Sequence, residues 1–265
     1  MLLLALLMSC DAPPPAPPLP TAQGDWRAPI PSWPAEGAPL TTLPLPEAQG
    51  PWRVVVDAGH GASGNAGNTG VRCQKEQDET LREALALADH LRAGPFEIRL
   101  GREGEARPGY RDRVAAAEAW PADALVSLHT DSRGWTPDKG DCPQVLAQDG
   151  FAVLWSDEGP EALVAARVRL ARALGRRLAE AGFRPYDGDV YPGLYDTDPE
   201  VPGVFLDRHQ PTRRIYMLRG PRIPSVIIET HHALDPAEVA RWDDPATLQA
   251  FSAAVAAGLV DALGE

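Results

Sequence analysis

The chain has 265 residues, 44% of them hydrophobic and 23% charged, an ordinary globular composition of a length for one to two domains. A formal net charge of −12 excludes a sequence-independent nucleic-acid binder, which needs a basic surface, and three cysteines are too few for a small disulfide scaffold. The hydrophobic run over the first nine residues falls far short of the roughly 20 that span a bilayer, so no integral membrane domain is expected.

In chain order, Leu2 to Met8 are apolar, Ser9 is small and Cys10 follows. Leu7-Met8-Ser9-Cys10 resembles the lipobox of bacterial lipoproteins, where a signal peptidase cuts before a cysteine that then carries acyl chains. The resemblance implies a signal segment over 1–9 and lipidation at Cys10; a plain secretory signal is the alternative, since the stretch lacks basic residues. Asp11 to Pro51 holds 13 of the 28 prolines. Proline lacks an amide donor and fixes φ, so residues 10–51 read as an extended tether with a reach on the order of 100 Å. Trp26, Trp33 and Trp52 are costly to leave in water, and part of the tether is expected to pack back on the domain.

From Trp52 onward strands and helices alternate. Arg53 to Asp57 is a β-branched strand, Ala58 to Gln74 a Gly- and Asn-rich loop, and Glu76 to Ala93 an amphipathic helix with Leu81, Leu85, Ala88 and Leu91 in register. Strands follow at Phe96–Leu100, Ala124–His129, Phe151–Trp155, Ile215–Leu218 and Ser225–Glu229. Helices follow at Tyr110–Trp120, Pro160–Ala181 and Asp244–Leu263, the last with Pro245 suited to its first turn. The expectation is one α/β domain over 52–265, with about six strands in a mostly parallel or mixed sheet flanked by about four helices.

Ionisable residues sit where the apolar pattern ends. His60 follows Val54-Val55-Val56, His129 ends Leu125-Val126-Ser127-Leu128, Glu229 ends Val226-Ile227-Ile228, and Glu76 opens the first helix. Ligands of open α/β sheets bind beyond the carboxyl ends of the strands, where three of these fall. Two imidazoles and a carboxylate make a zinc set with a fourth position open, and a second carboxylate can move a proton to a leaving amine. The residues alone leave this beside a plainer reading of structural histidines at strand ends.

At these positions the chain resembles the zinc-dependent N-acetylmuramoyl-L-alanine amidases of bacterial cell-wall turnover. Val56-Asp57-Ala58-Gly59-His60-Gly61 matches their first motif, and Glu76-Gln77-Asp78-Glu79-Thr80-Leu81 stands where they read Glu-Lys-Asp-Val-Asn-Leu. Arg113, Ala117-Glu118 and Ala122 to His129 follow the order of the third, and Tyr216-Met217-Leu218-Arg219 with Pro224 to Glu229 that of the last. The resemblance runs from Arg53 to Leu263 and implies a phosphorylase/hydrolase-like fold. It implies zinc on His60, Glu76 and His129, Glu229 as catalytic carboxylate, and hydrolysis of the amide between N-acetylmuramic acid and L-alanine in peptidoglycan. Thr130-Asp131 and Thr230-His231-His232 depart from the family's words, at positions that touch substrate more than metal.

Lesser signals remain. Arg219, His231 and His232 are candidate substrate contacts, and Arg113 reads as a helix anchor before a substrate contact. Residues 185–214, with Tyr186, Tyr191 and Tyr195, read as a lid or wall, or else as a solvated loop. A metal role for Asp187, Asp189 and Asp196 lacks EF-hand spacing. Cys73 and Cys142 are expected to pair outside the cytoplasm, with two free thiols as the alternative. The rivals to a peptidoglycan amidase are a zinc amidohydrolase of small acyl-amino acids and an inactive wall-binding module. Lipobox and tether favour an exported, lipid-anchored enzyme facing a polymer in the cell envelope; any activator protein is unspecified.

Overall fold

Val54, Val55 and Val56 make β1 (Trp52–Ala58) apolar on both faces, which demands a central place in a sheet covered on both sides. The computed structural model supplies it, describing residues 39–104, 106–134, 142–145 and 149–264; Cys10, Trp26, Trp33 and the signal segment lie outside the described residues. The strands are β1, β2 (Phe96–Leu100), β3 (Ala124–Asp131), β4 (Ala152–Trp155), β5 (Tyr195–Thr197), β6 (Val204–Asp207) and β7 (Ser225–His232). They form one seven-stranded sheet in the order β2-β1-β3-β7-β4-β6-β5. β2, β1, β3 and β7 run parallel, β4 is antiparallel to β7, β6 is parallel to β4, and β5 is antiparallel to β6.

Helices α1 (Glu76–Arg92), α3 (Glu161–Glu180) and α6 (Pro245–Leu263) cover one face, where Leu87, Leu91, Leu170, Leu174, Phe251 and Leu259 meet Val54, Val56, Val126 and Ile228. The other face carries α2 (Tyr110–Ala119) and α4 (Tyr216–Arg219), with Val114, Met217, Leu218, Tyr186 and Tyr191 over Val55, Leu125, Ile227 and Phe205. α5 (Pro236–Trp242) lies between β7 and α6. Asp235 accepts the amides of Ala237 and Glu238, and Asp244 that of Ala246, so α5 and α6 both start on an Asp-Pro cap.

α6 is long and apolar enough to cross a membrane by length and composition, a feature the N-terminal run did not foretell. Yet 72% of its apolar window is buried inside the domain. It is apolar all round because it packs between α1 and α3 beneath the sheet. At Gly258 a Cβ would lie 3.0 Å from the Leu174 Cα, so glycine permits this close approach of α6 and α3.

Two expectations change, and a third, that part of the tether packs back on the domain, takes definite form. Ile215–Leu218 is not a strand: Ile215 caps helix α4 (Tyr216–Arg219) and the rest lie within it, and both edges of β7 are already taken by β3 and β4. The 185–214 stretch is not structureless, because β5 and β6 pair across it. Residues 39–51 are folded onto the domain: the Thr41 amide donates to the Ala181 carbonyl at 2.9 Å, and Leu43 is buried in the core. Proline denies this segment helix and sheet but not side-chain burial.

Cys73 and Cys142 form a disulfide, 69 positions apart in sequence and with Cα atoms 4.9 Å apart. Closing a loop of that size stabilises by about 4 kcal/mol in the chain-entropy account. We expect denatured, unreduced protein lacking Cys10 to show no free thiol. Reduction should lower the thermal midpoint by roughly 10 °C; two titratable thiols, or an unmoved midpoint, would contradict this.

Candidate metal centre and active site

The chain leaves β1 through Gly59, His60 and Gly61. A Cβ on Gly59 would lie 2.5 Å from the His129 Nε2, so only glycine lets the backbone pass over that ring. His60 has φ of 59°, the left-handed region, at a cost of roughly 1–2 kcal/mol for a side-chain-bearing residue. Arg113 of α2 holds it there. Its guanidinium donates to the carbonyls of His60, Ala58 and Pro108 and to Asp57 Oδ1 at 3.0 Å, and Ser127 Oγ donates to the other Asp57 oxygen at 2.6 Å. Arg113 and Asp57 are wholly buried, so Arg113 is a structural anchor; removing one partner would cost about 3–5 kcal/mol.

Glu76 begins α1 and brings its carboxylate under the end of β3. Oε1 lies 3.1 Å from His60 Nε2 and 3.0 Å from His129 Nδ1, and accepts the Thr130 amide at 3.2 Å. Oε2 accepts the Asn68 amide at 2.9 Å. Burial alone would raise this carboxyl, but its hydrogen bonds with His129 and His60 hold it far below the usual carboxylate range.

The protons show what the site wants. His60 Nδ1 lies 2.7 Å from Asn65 Oδ1, and the Gly67 amide donates to the same oxygen at 3.3 Å, which marks it as the acceptor. Nδ1 therefore carries a proton, and Nε2 faces the Glu76 carboxylate at 3.1 Å; burial lowers this imidazole, but the hydrogen bond and charge of Glu76 outweigh it and hold it above its ordinary range. A cation between Nε2 and Oε1 would take the place of the Nε2 proton. The ligand atoms of His60, Glu76 and His129 all lie within 4.8 Å of one another. Two imidazoles and a carboxylate suit a divalent metal of borderline softness.

Glu229 stands beside His129 in the parallel ladder, so both side chains rise from the same face of the sheet. It is partly exposed, but its Oε2 is shielded and without a hydrogen-bond partner among the described residues. Burial, then the Asp131 and Glu76 carboxylates, push its carboxyl well above the usual range. Such a group is suited to carrying a proton.

Just past this point the β3–β7 register shifts: His129 pairs with Glu229 but Asp131 with His232. The bulge aims His231 and His232 inward, which corrects their candidacy as substrate contacts. The His231 ring stacks on Trp242 with centroids 5.1 Å apart, and its Nδ1 lies 3.0 Å from Thr230 Oγ1. His232 Nδ1 accepts the Arg133 amide at 3.2 Å. Burial lowers the two imidazoles to about 3 and about 4, so neither offers an imidazolium at neutral pH. Arg219 is also not brought to the site. It is exposed on α4, which the Ser225 hydroxyl, donating to the Leu218 carbonyl, ties to the start of β7.

The 185–214 stretch forms a wall on the side of Glu229, where the Tyr191 hydroxyl donates to the Asp131 carboxylate. Asp187, Asp189 and Asp196 do not gather: Asp196 pairs with Arg208 at 2.6 Å, and Asp187 accepts the Asp189 amide. Sequence reasoning missed Asn65, Asn68 and Tyr110. Tyr110 puts its hydroxyl 3.3 Å from His60 Nδ1, and Asn68 Nδ2 donates to the Thr130 carbonyl at 2.6 Å. Two asparagines in a glycine-rich loop between metal-type residues were the available signal.

Fold and site together define a hydrolase of the α/β class with a His–Glu–His face competent for metal. A family model described as N-acetylmuramoyl-L-alanine amidase matches residues 54–261. The chain belongs to that family, enzymes that hydrolyse the amide between N-acetylmuramic acid and L-alanine in peptidoglycan. It is 28% identical over 227 residues to N-acetylmuramoyl-L-alanine amidase AmiA of Escherichia coli K12, covering 78% of this chain and 74% of the relative. In fold it is similar to Ami1 of Mycobacterium smegmatis, with a TM-score of 0.64 at 23% identity over 82% of this chain and 99% of that one. The CwlD amidase of Clostridioides difficile, solved in complex with the GerS lipoprotein, shares the fold with a TM-score of 0.55 at 16% identity, over 80% of this chain and 98% of that one.

Two outcomes test the geometry. His60→Ala should abolish metal retention after gel filtration. Gly67→Ala should weaken it by roughly 10–100-fold, because a Cβ there would lie 2.5 Å from Glu76 Oε2; metal content is the measurement, and full retention in either would refute the assignment. The second concerns Glu83, buried behind the site with the Thr230 hydroxyl donating to it at 3.1 Å. Burial raises its carboxyl from 4.5 to about 8. The folded chain thus keeps a proton that the unfolded chain sheds, so this contribution is full below pH 4.5 and lost as pH rises through about 8. Glu83→Gln should flatten that slope, with a higher thermal midpoint than the wild type near pH 8; an unchanged slope would count against it.

Proposed function

We propose that this chain is a zinc amidase of the bacterial envelope, with His60, Glu76 and His129 holding the ion and Glu229 moving the proton. The observation that supports it most is the convergence of two imidazole nitrogens on one Glu76 oxygen, with the His60 tautomer set by Asn65. When bound, zinc supplies Lewis-acid polarisation of the amide carbonyl and an acidified water.

The protein's own share is positional. Asn65 and Tyr110 orient His60, and the Asn68 and Thr130 amides orient Glu76. Glu229, on the same sheet face as His129, takes a proton from the attacking water at its carboxylate and returns it to the departing L-alanine nitrogen. Its raised carboxyl suits the second half of that transfer, and the shielded Oε2 leaves one oxygen for it.

The reading extends to location. Cys10 would carry the lipid, residues 1–9 would be removed, and the proline-rich segment before residue 39 would let the domain search the wall from its membrane anchor. The Cys73–Cys142 disulfide supports an oxidising compartment outside the cytoplasm.

Glu229→Gln should keep its zinc and lose at least about 100-fold in kcat on purified sacculi or muropeptides. A chelator should abolish wild-type turnover, and zinc should restore it. Release of zinc by Glu229→Gln would make Glu229 a ligand, and chelator-resistant turnover would overturn the metal reading.

A further inference from the structure

One hydroxyl beside the metal face is surrounded by donors and has no acceptor for its own hydrogen. Tyr110 Oη lies 3.3 Å from His60 Nδ1, and the Asn65 side-chain amide donates to it at 3.3 Å. Nδ1 carries a proton, which Asn65 Oδ1 accepts at 2.7 Å, so the imidazole can only donate toward Oη. Burial raises the phenol above its ordinary range, and a hydrogen bond from the His60 backbone acts the other way, as a further donor aimed at the same oxygen does. The hydroxyl therefore keeps its hydrogen at neutral pH and has committed only its lone pairs. Among the described residues nothing accepts that hydrogen. Tyr110 is half-buried and the His60 side chain beside it is 21% exposed, so both border the open side of the site.

The place of this hydroxyl fixes which part of the substrate it meets. Tyr110 opens α2 and packs on the sheet face that carries Glu229, against the cluster that holds Val55 of β1 and Leu125 of β3. In the sheet, β3 lies between β1 and β7. Across the mouth of the site the order is thus Tyr110 with His60 past the end of β1, His129 on β3 and Glu229 on β7. Two strand spacings, or roughly 10 Å, separate the two flanks. Glu229 hands its proton to the departing alanine nitrogen, so the peptide leaves on the β7 flank and the muramoyl unit lies on the β1 flank. The acetamido group of that sugar stands on the ring carbon next to the one bearing the lactyl ether. Its carbonyl oxygen accepts and does not donate, which suits a hydroxyl whose lone pairs are taken.

We propose that the Tyr110 hydroxyl donates to the acetamido carbonyl of the muramoyl residue being cleaved, and so makes the enzyme favour a muramoyl unit that carries its N-acetyl group. This rests on the amidase reading and on the role of Glu229 within it.

The test compares, for the zinc-loaded full chain, an N-acetylmuramoyl-peptide with its 2-deoxy analogue, which lacks the acetamido group. Tyr110→Phe keeps the ring that the Arg113 guanidinium overlies at 5.1 Å and removes only the hydroxyl. It should shrink the acetylated substrate's advantage in kcat/KM by about three- to tenfold. Zinc content should hold, because Asn65 still accepts the Nδ1 proton. Binding of the acetylated ligand to zinc-loaded Glu229→Gln, followed by calorimetry, should weaken by a similar factor when Tyr110→Phe is added, and binding of the 2-deoxy analogue should not change. Equal losses on both ligands, or zinc loss with an undiminished advantage, would make Tyr110 a support for His60 alone and overturn the contact. A loss that follows peptide length instead of the acetyl group would reverse the orientation and overturn it too. The amidase stands in each of these cases; failure of the wild type to cleave either substrate would overturn the amidase reading itself.

Discussion

One carboxylate oxygen, Glu76 Oε1, faces two imidazole nitrogens and a backbone amide in a space almost closed to water. Asn65 takes the hydrogen bond of His60 Nδ1, so Nε2 is the nitrogen turned to Glu76 and available to a cation. The surrounding structure enforces this juxtaposition. β1 and β3 lie side by side with Ala58 opposite Leu128, which sets the spacing of the two histidines. The Gly59 amide donates to the Leu128 carbonyl at 2.8 Å, and Arg113 clamps the His60 carbonyl from below. The loop to α1 then turns back so that Asn68 can hold both Glu76 and Thr130. Strain at His60 and crowding at Gly59 and Gly67 are what this convergence costs.

On the far side of the site the determining feature is the bulge in β7. Up to Glu229 the strand alternates regularly, and the acid emerges beside His129. Beyond it the shifted register turns the next two histidines into the interior. There, Glu238 accepts the His232 amide at 2.6 Å and the Gly150 amide at 3.0 Å. Arg133 lies 3.8 Å from the Tyr186 ring centroid and pairs with Asp131 at 2.7 Å. This buried set links the end of β3 to the Tyr191 hydroxyl, so the wall formed by the 185–214 stretch is fastened to the strand that presents His129. Wall and His–Glu–His face are thus joined through hydrogen bonds at the end of β3.

Much of this was legible in the sequence. The valine run of β1, the leucine stripes of α1 and α3 and the Pro245 start of α6 announced their elements, because burial and capping impose periods a reader can count. His60, Glu76, His129 and Glu229 stood out because ionisable groups end apolar runs there, and the family resemblance set them apart from structural histidines at strand ends. The failures share a cause. Ile215–Leu218 is apolar enough for a strand, and only the occupied edges of β7 make it a helix. β5 and β6 are three and four residues long, too short for alternation to register among prolines and aspartates.

The sequence by itself pointed to the α/β class, to His60, His129 and Glu229 at one edge of the sheet with Glu76 brought to them, and to a pairing of the two cysteines, because local pattern and residue chemistry carry that information along the chain. Tertiary structure alone decided the rest. It set the tautomer of His60, the burial of His231 and His232, the removal of Arg219 to the far end of β7, and the placement of the Tyr110 hydroxyl beside His60. Each of these depends on which atoms from distant segments come within about 3–5 Å, and hydrogen bonding and burial at that range are properties of the packed chain. A histidine two residues past Glu229 reads the same in the sequence whether it faces solvent or core; a one-residue shift in strand register determines which.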